Sequence, residues 1–402
     1  MSGNIKLNTP SNGSVTISTP DTASAVTVTI PAATDTATLN TQAQTLTNKT
    51  LTAAGSNTVE ATSGPTSTQL AGNRNKIING AMVINQRATA VTSSGYTVDR
   101  WGFNATQNSK ATVQQSTSIY PVGFTASLGV TSSSSYSVLA GDYFVLSQPI
   151  EGLNCSDLAW GTASAKTVTL SFQVYSSLTG TFGGSLMNNA GNRCYPFSYT
   201  IGSSNTWTSV SITIAGDTTG TWATDTSTGI YVFFGLGAGS TYSGTAGSWA
   251  ASNYRSSTGA TSVVGTSGAT FYITGVQLEK GATATPFENR LYGTELALCQ
   301  RYYQFCGAAS GFWFANNIFY AVGSYQTMRS TPSVSLQGSN LVDYAFGSPG
   351  QPSGTIAISA GASPCGAEFN IYLNTSSGTT NGQVMTIRAS GSNSGIALSA
   401  EL

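Results

Sequence analysis

The chain has 402 residues, enough for two or three domains that each bury a core of their own. Only 7% of its residues are charged, with 15 Lys and Arg against 15 Asp and Glu, so nothing in the balance points to attraction by nucleic acid or an acidic membrane. The absence of histidine removes a Ser-His-Asp triad, a Cys-His pair and every histidine-bearing zinc site.

A hydrophobic share of 40%, with 18 Tyr, 16 Phe and 6 Trp, argues against a chain disordered throughout. Gly, Ser, Thr, Asn and Ala fill the spaces between apolar positions, the pattern of many short strands and tight turns. The N-terminus lacks a basic, apolar and small-residue leader, and no apolar run reaches the length of a membrane-spanning helix, so the expectation is a soluble product without membrane insertion. Cys155, Cys194, Cys299, Cys306 and Cys365 show no CxxC pair and leave at least one thiol unpaired, as in a reducing cytoplasm. A Cys155–Cys194 bridge stays open at this level.

Residues 1–72 contain no Phe, Tyr or Trp. Alternation in Ser14-Val15-Thr16-Ile17-Ser18 and in Ala25-Val26-Thr27-Val28-Thr29-Ile30 predicts strands, yet the stretch holds too little core for an independent domain. Pairing with other copies of the chain is the simplest route to order, which predicts an intertwined β region and a homotrimer. Gly64-Pro65 and Gly72 mark residues 61–75 as a linker.

From residue 73 the chain turns apolar and aromatic. Ile77, Ile78, Met82, Val83 and Ile84 read as strand material around Asn79-Gly80, and Asp99-Arg100-Trp101 as a second strand start. Clear strands follow at Ala111–Val113, Tyr143–Leu146, Thr167–Val174, Ser209–Ile214, Ile230–Phe234 and Phe271–Leu278, separated by Gly, Ser and Asn clusters. That spacing predicts a β-sandwich over 73–290, a jelly roll whose opening and closing stretches pair. Trp101, Phe172, Trp207 and Phe233 read as its core anchors, and Gly235, Gly237 and Gly239 as turn glycines.

Thr294–Tyr303 is the best helix, with Leu291, Glu295, Leu298 and Tyr302 at helical spacing, Thr294 as cap and Gly307 as stop. It predicts a short linking helix over 291–306, with Cys299 and Cys306 buried on one face. Residues 307–402 return to strand patterning in GFWFANNIFYAVGSYQTMRSTPSVSL, GTIAIS, AEFNIYL and VMTIRAS, a C-terminal β-sandwich. The fold class is all-β.

Several of these stretches resemble one family. NKIING, INQR and GYTVDRW at the opening, NTWTSVSITIAGDTTGTW and FFGLGAGSTYSGTAGSW in the middle, and GVQLEKGATATPFENR at the close are similar to the carbohydrate-binding-module-like sandwich in tail fibres and other appendages of tailed bacteriophages. QTLTNKTLT, residues 44–52, resembles a segment of the N-terminal shafts and adaptors of phage fibres, and TMRSTPSVSL an element of C-terminal fibre domains. The resemblance implies a virion protein made in the host cytoplasm, attached through residues 1–72 to tail, nozzle or adaptor proteins, with the 307–402 sandwich facing the receptor. A head or neck fibre of the same architecture is the alternative.

Sugar recognition asks for aromatic faces that stack on pyranose CH groups beside amides and hydroxyls that fix the sugar hydroxyls. Tyr242, Trp249, Asn253, Tyr254 and Arg255 offer both in one Gly/Ser-rich loop, with an inward-packed Trp249 as the competing reading. Trp313, Tyr325, Tyr344 and Tyr372 are the distal alternative. Catalysis would need paired carboxylates; Asp142, Glu151, Asp157, Asp217 and Asp225 are the candidates for a glycan depolymerase, but isolated Asp in such turns normally shapes the turn. Glu279 and Glu288 are the only candidates for a calcium site, without the dense acidic spacing such sites favour. The expectation is therefore a non-catalytic, cofactor-free and metal-free protein binding host-surface polysaccharide.

Overall fold

The computed structural model describes residues 5–8, 14–17, 74–306, 308–315, 318–322, 325–337, 341–345, 356–359, 369–373, 384–389 and 395–402, with side chains over 74–306, 325–335 and 395–402. Two compact units divide the chain at residues 1–60 and 61–402. In the first, β1 (Ile5–Asn8) pairs antiparallel with β2 (Ser14–Ile17), Ile5 opposite Ile17, which takes up the strand expected at 14–18. The stretches at 25–30 and 44–52 lie outside the described residues.

The second unit carries two facing sheets. Its strands are β3 (Gly95–Tyr96), β4 (Gly102–Ala105), β5 (Ala111–Ser116), β6 (Ser127–Ser132), β7 (Tyr143–Glu151), β8 (Val168–Ser176), β9 (Gly180–Asn188), β10 (Cys194–Ile201), β11 (Thr208–Ile214), β12 (Thr228–Ala238), β13 (Ser243–Gly244), β14 (Ser256–Ser257) and β15 (Thr270–Lys280). One sheet is six-stranded in the order β10-β9-β12-β7-β4-β3, the other five-stranded in the order β11-β8-β15-β6-β5. Within them β7-β12-β9-β10 and β6-β15-β8-β11 are the two layers of a jelly roll: the chain crosses from sheet to sheet at nearly every step, so strands adjacent in sequence face one another across the core. All six stretches expected as strands fall on β5, β7, β8, β11, β12 and β15.

Period two does the sorting. Phe144 and Leu146 of β7, Phe172 of β8, Phe234 of β12 and Phe271 of β15 point between the sheets with Trp101 and Phe103, all buried in one cluster. Phe172 meets Phe234 edge-on at 5.0 Å across the gap, joining the layers. Trp101 and Phe172 are thus core anchors as expected. Phe233 is buried too, but in a separate cluster with Val145, Met187 and Cys194 on the other face of the six-stranded sheet. Trp207 stands outside the core, half-buried, just ahead of β11.

The opening stretch departs from expectation. Residues 74–90 form no strand, because several of their backbone groups bond side chains and only isolated ones bond a neighbouring strand. Ile78 exchanges a reciprocal pair of 2.8 Å bonds with the Gln148 amide. Asn79, at φ 56°, accepts from Ile84 N at 3.0 Å and donates to Ile84 O at 2.8 Å and Asp99 O at 3.0 Å. The expected closure nevertheless forms: Lys76 N donates to Leu278 O at 2.8 Å, Val276 N to Gly80 O at 3.0 Å, and the Asn75 side chain bridges Val276 O and Leu278 N.

The helix also differs. It spans Tyr292–Gln300 with Leu291 at its N-cap, so Thr294 lies inside it and caps nothing. Tyr303–Cys306 is β16, not helix, and pairs with β24 (Gly395–Ser399), which pairs on its other side with β19 (Ser333–Gln337). Cys299 and Cys306 therefore sit on different elements; Cys299 is fully buried with Ile78, Ile84 and Tyr302. The remaining C-terminal strands, β17 (Ala308–Ala315), β18 (Ile318–Val322), β20 (Leu341–Ala345), β21 (Ile356–Ser359), β22 (Phe369–Leu373) and β23 (Val384–Ala389), make a second six-stranded sheet in the order β20-β23-β17-β18-β22-β21.

Buried ions fasten this C-terminal strand system to the jelly roll. Arg100, 1% exposed, pairs with Glu401, donates to Pro149 O at 2.6 Å and lies 3.6 Å over the Tyr302 ring. Arg87 bridges Asp99 and Glu401 at 2.9 Å each, and Arg301 holds Glu151 through bonds of 2.8 and 2.6 Å. Burial raises the Glu151 pKa, but the Arg301 guanidinium and the Tyr302 hydroxyl outweigh it and hold the carboxyl below its ordinary value. A depressed carboxylate pKa stabilises the fold above the unfolded pKa of about 4.3 and loses that contribution as pH falls through the folded value. Glu151→Gln should accordingly lower stability by about 1–3 kcal/mol at pH 7. In urea unfolding followed over pH, the gap to the parent should narrow below about pH 4; a gap independent of pH would refute the assignment.

Candidate functional site

The jelly roll leaves two outward sheet faces. On the six-stranded one, glycines let a loop lie directly on the strands. A Cβ at Gly183 of β9 would stand 2.3 Å from the Ser257 hydroxyl, and one at Gly235 of β12 would stand 2.5 Å from that of Ser256. Gly235 and Gly237 are therefore strand glycines, a correction to the turn role expected of them, while Gly239 does leave the strand. The loop over 240–255 is closed by the parallel pair β13–β14 and by Arg255 N donating to Tyr242 O at 2.8 Å.

From that closure Arg255 reaches back along the sheet. Its guanidinium carbon lies 3.9 Å from the Tyr143 ring centroid, 5.3 Å from Phe233 and 5.6 Å from Tyr242. Tyr143 and Tyr242 meet edge-on at 4.9 Å, and Tyr231 stacks on Phe233 at 5.5 Å and 7°. Tyr231, Phe233, Arg255, Tyr143 and Tyr242 thus form a row of planar groups, in which the three tyrosines are partly exposed and Phe233 is 2% exposed. Asn253 Oδ1, Arg255 Nε and Ser257 Oγ are buried and lack a hydrogen-bond partner among the described residues.

Of the five residues singled out in the loop, Tyr242, Tyr254 and Arg255 gather on this face, with Tyr254 laid against Gly244. Asn253 lies over the turn at Gly191. Trp249 leaves them: it packs against Trp160 at 5.2 Å, Trp222 at 5.4 Å and Tyr195 at 5.2 Å, and its indole N–H donates to Ala215 O at 2.8 Å. Tyr143 and Tyr231 were not singled out in the sequence. Alternation within β7 and β12 places them opposite Phe144 and Val232, but strands apolar on both faces hide which face is outward. Of the distal set, Tyr325 is buried with Met328, Leu398 and Ala400, which withdraws its ring from the surface. Trp313, Tyr344 and Tyr372 lie on β17, β20 and β22, with side chains outside those described.

The candidate carboxylates each have hydrogen-bond or ion-pair partners. Asp142 accepts from Tyr136 OH at 2.6 Å and Leu139 N at 3.1 Å, Asp157 pairs with Lys76 at 2.8 Å, Asp217 takes Arg193 through 2.8 and 2.6 Å bonds, and Asp225 closes on Ser227 N at 2.9 Å. Among the described residues none of these shares a side-chain partner with another or with Glu151. Glu279 accepts from Thr285 N at 2.8 Å, Thr285 Oγ1 at 2.7 Å and Gln277 Nε2 at 2.9 Å, and Glu288 from Asn75 N at 2.7 Å. No group of three Cys, Asp or Glu among the described residues stands close enough to hold a metal ion. Cys155 and Cys194 are separate free thiols, and burial pushes the Cys155 pKa up to about 12.

No protein-family model matches the sequence, and no curated protein does. Among solved structures, the chain is similar to the enzymatically active domain of bacteriophage CBA120 tailspike protein 4 at 13% identity and a TM-score of 0.29, over 52% of this chain and 22% of that one. It is also similar to a CBM4 module, at 14% identity and a TM-score of 0.28 over 50% of this chain and 98% of that one. A family 11 carbohydrate-binding module of Clostridium thermocellum follows at 14% identity and 0.26, over 48% and 97%. Likeness at this level says nothing of what this chain binds.

Gly235→Val should lift the loop from the sheet, since the new side chain has no room beneath Ser256. Tryptic cleavage after Arg255 should then accelerate while Arg100, 1% exposed, stays protected. Unchanged cleavage at Arg255 would contradict this seating.

Proposed function

We propose that the chain is a virion appendage of a tailed bacteriophage, a tail fibre that adsorbs to host-surface polysaccharide by multivalent, non-catalytic binding. In this reading residues 1–72 join three copies and attach them to tail or adaptor proteins. The residues 73–290 form the glycan-binding jelly roll, and residues 307–402 lie towards the receptor. The observation that carries the binding part is the Arg255 guanidinium packed 3.9 Å over Tyr143 between Phe233 and Tyr242. Partly exposed rings offer faces to pyranose CH groups, and a held guanidinium, with no ion pair among the described residues, offers donors to hydroxyls. The family-like motifs, the low charge and the shortage of core in residues 1–72 support the fibre part.

A fibre needs no strong single site. Three weak sites on one rigid particle can raise avidity 10²–10⁴-fold over any of them, provided that geometry allows them to engage together. Tyr143→Ala and Arg255→Ala should each reduce retention on host cells and on their extracted polysaccharide by more than about tenfold. Light scattering of the full-length protein should give the mass of three chains, and incubation with the polysaccharide should release no new reducing ends. A well-folded single chain in dilute solution would sink the fibre reading, and release of reducing ends would replace adsorption by cleavage.

A further inference from the structure

The opposite face of the molecule carries a second aromatic row. Period two turns Gln114 of β5, Thr131 of β6, Tyr272 of β15 and Tyr175 of β8 away from the core of the five-stranded sheet. Tyr272 and Tyr175 meet edge-on at 5.6 Å, and Tyr175 meets Trp207 at 5.5 Å with 49° between the planes. All three rings are half-buried, so each leaves apolar surface to solvent.

The row is seated. Gly129 lies directly across from Tyr272 in the ladder, and a Cβ there would stand 2.7 and 3.0 Å from two ring atoms, so the ring occupies the space that the glycine leaves. Beside it opens a cavity of about 230 Å³ lined by Gln114, Gln115, Ser116, Thr131 and Tyr272 among others. Next to Tyr175 the Gln173 amide and Ser209 hydroxyl bond each other at 2.9 and 3.0 Å. Every polar group in this set is neutral. Nucleic acid would require cations that are lacking here, whereas uncharged sugar rings present CH faces to the aromatics and hydroxyls to the amides.

We propose that this face is a second saccharide-binding surface, on which Tyr272, Tyr175 and Trp207 stack against an uncharged glycan chain while Gln114 and Thr131 bind its hydroxyls. It is separate from the Arg255 row, which lies on the other sheet, and stands whether or not that row binds. Native electrophoresis of the full-length protein through gels containing dextran, galactomannan or mixed-linkage β-glucan tests it. Retardation by at least one of the three is expected, with Trp207→Ala and Tyr272→Ala each weakening the apparent Kd by more than about tenfold. Gln114→Ala, a change at an exposed side chain, should weaken it in the same direction without altering the unfolding transition. Tyr143→Ala should leave saturable retardation, and adding Trp207→Ala to that variant should weaken it by the same factor. Absence of retardation by all three polysaccharides, or parental affinity in both the Gln114 and the ring variants, would overturn the proposal.

Discussion

The ion pair between Arg100 and Glu401 is the contact on which the described structure turns, because it joins the opening loop to the last residues of the chain inside a nearly dry site. An unpaired charge there would be strongly unfavourable, so the site is stable only when the loop holding Arg100 and the segment holding Glu401 are both in place. Arg87 extends the pair to Asp99, and Tyr302 and Tyr303 cover the two guanidinium groups at 3.6 Å each. A chain with only 7% charged residues concentrates several of them here, where geometry rather than solubility is at stake. The consequence is a jelly roll whose helix and β24 are part of its architecture and not an appended segment.

That fastening explains the asymmetry of the two outward faces. The six-stranded sheet is overlaid at one end by the loop seated on Gly183 and Gly235 and approached at the other by Tyr302, Arg301 and Glu401 around Pro149 and Glu151. What it leaves open is a strip, the row from Tyr231 to Tyr242. Among the described residues the five-stranded sheet has no comparable cover over Tyr272 and Tyr175, and its aromatics stand among amides and hydroxyls. Both faces present planar apolar surface beside hydrogen-bonding groups, the first with the Arg255 guanidinium in its row and the second with neutral amides and hydroxyls.

Much of the β architecture was legible in the residues. Apolar stretches bounded by Gly, Ser and Asn clusters marked β5, β7, β8, β11, β12 and β15, because a strand buried on one or both faces is apolar and its turns are not. Helical spacing found the segment around Leu298 but overran its end, since Tyr302 and Tyr303 are apolar at positions that suit a helix and a buried strand start equally. The opening stretch misled in a different way. Ile77, Ile78 and Ile84 are buried as a strand's residues would be, yet Asn75, Asn79 and Gln148 satisfy the backbone there, and side-chain partners far apart in sequence leave no local pattern.

The sequence by itself determined that the chain is mostly β and that the opening and closing stretches of the sandwich would meet, because composition and period act locally along the chain. Only the tertiary structure decided which rings face outward. Trp249 turns into the Trp160 and Trp222 cluster, Phe233 leaves the core for the sheet's other side, and Trp207 joins Tyr175 and Tyr272. An aromatic side chain lowers its free energy equally well between two sheets or beneath a loop, and what selects between them is the order in which β6, β15, β8 and β11 are placed side by side, a property of the fold and not of any one stretch.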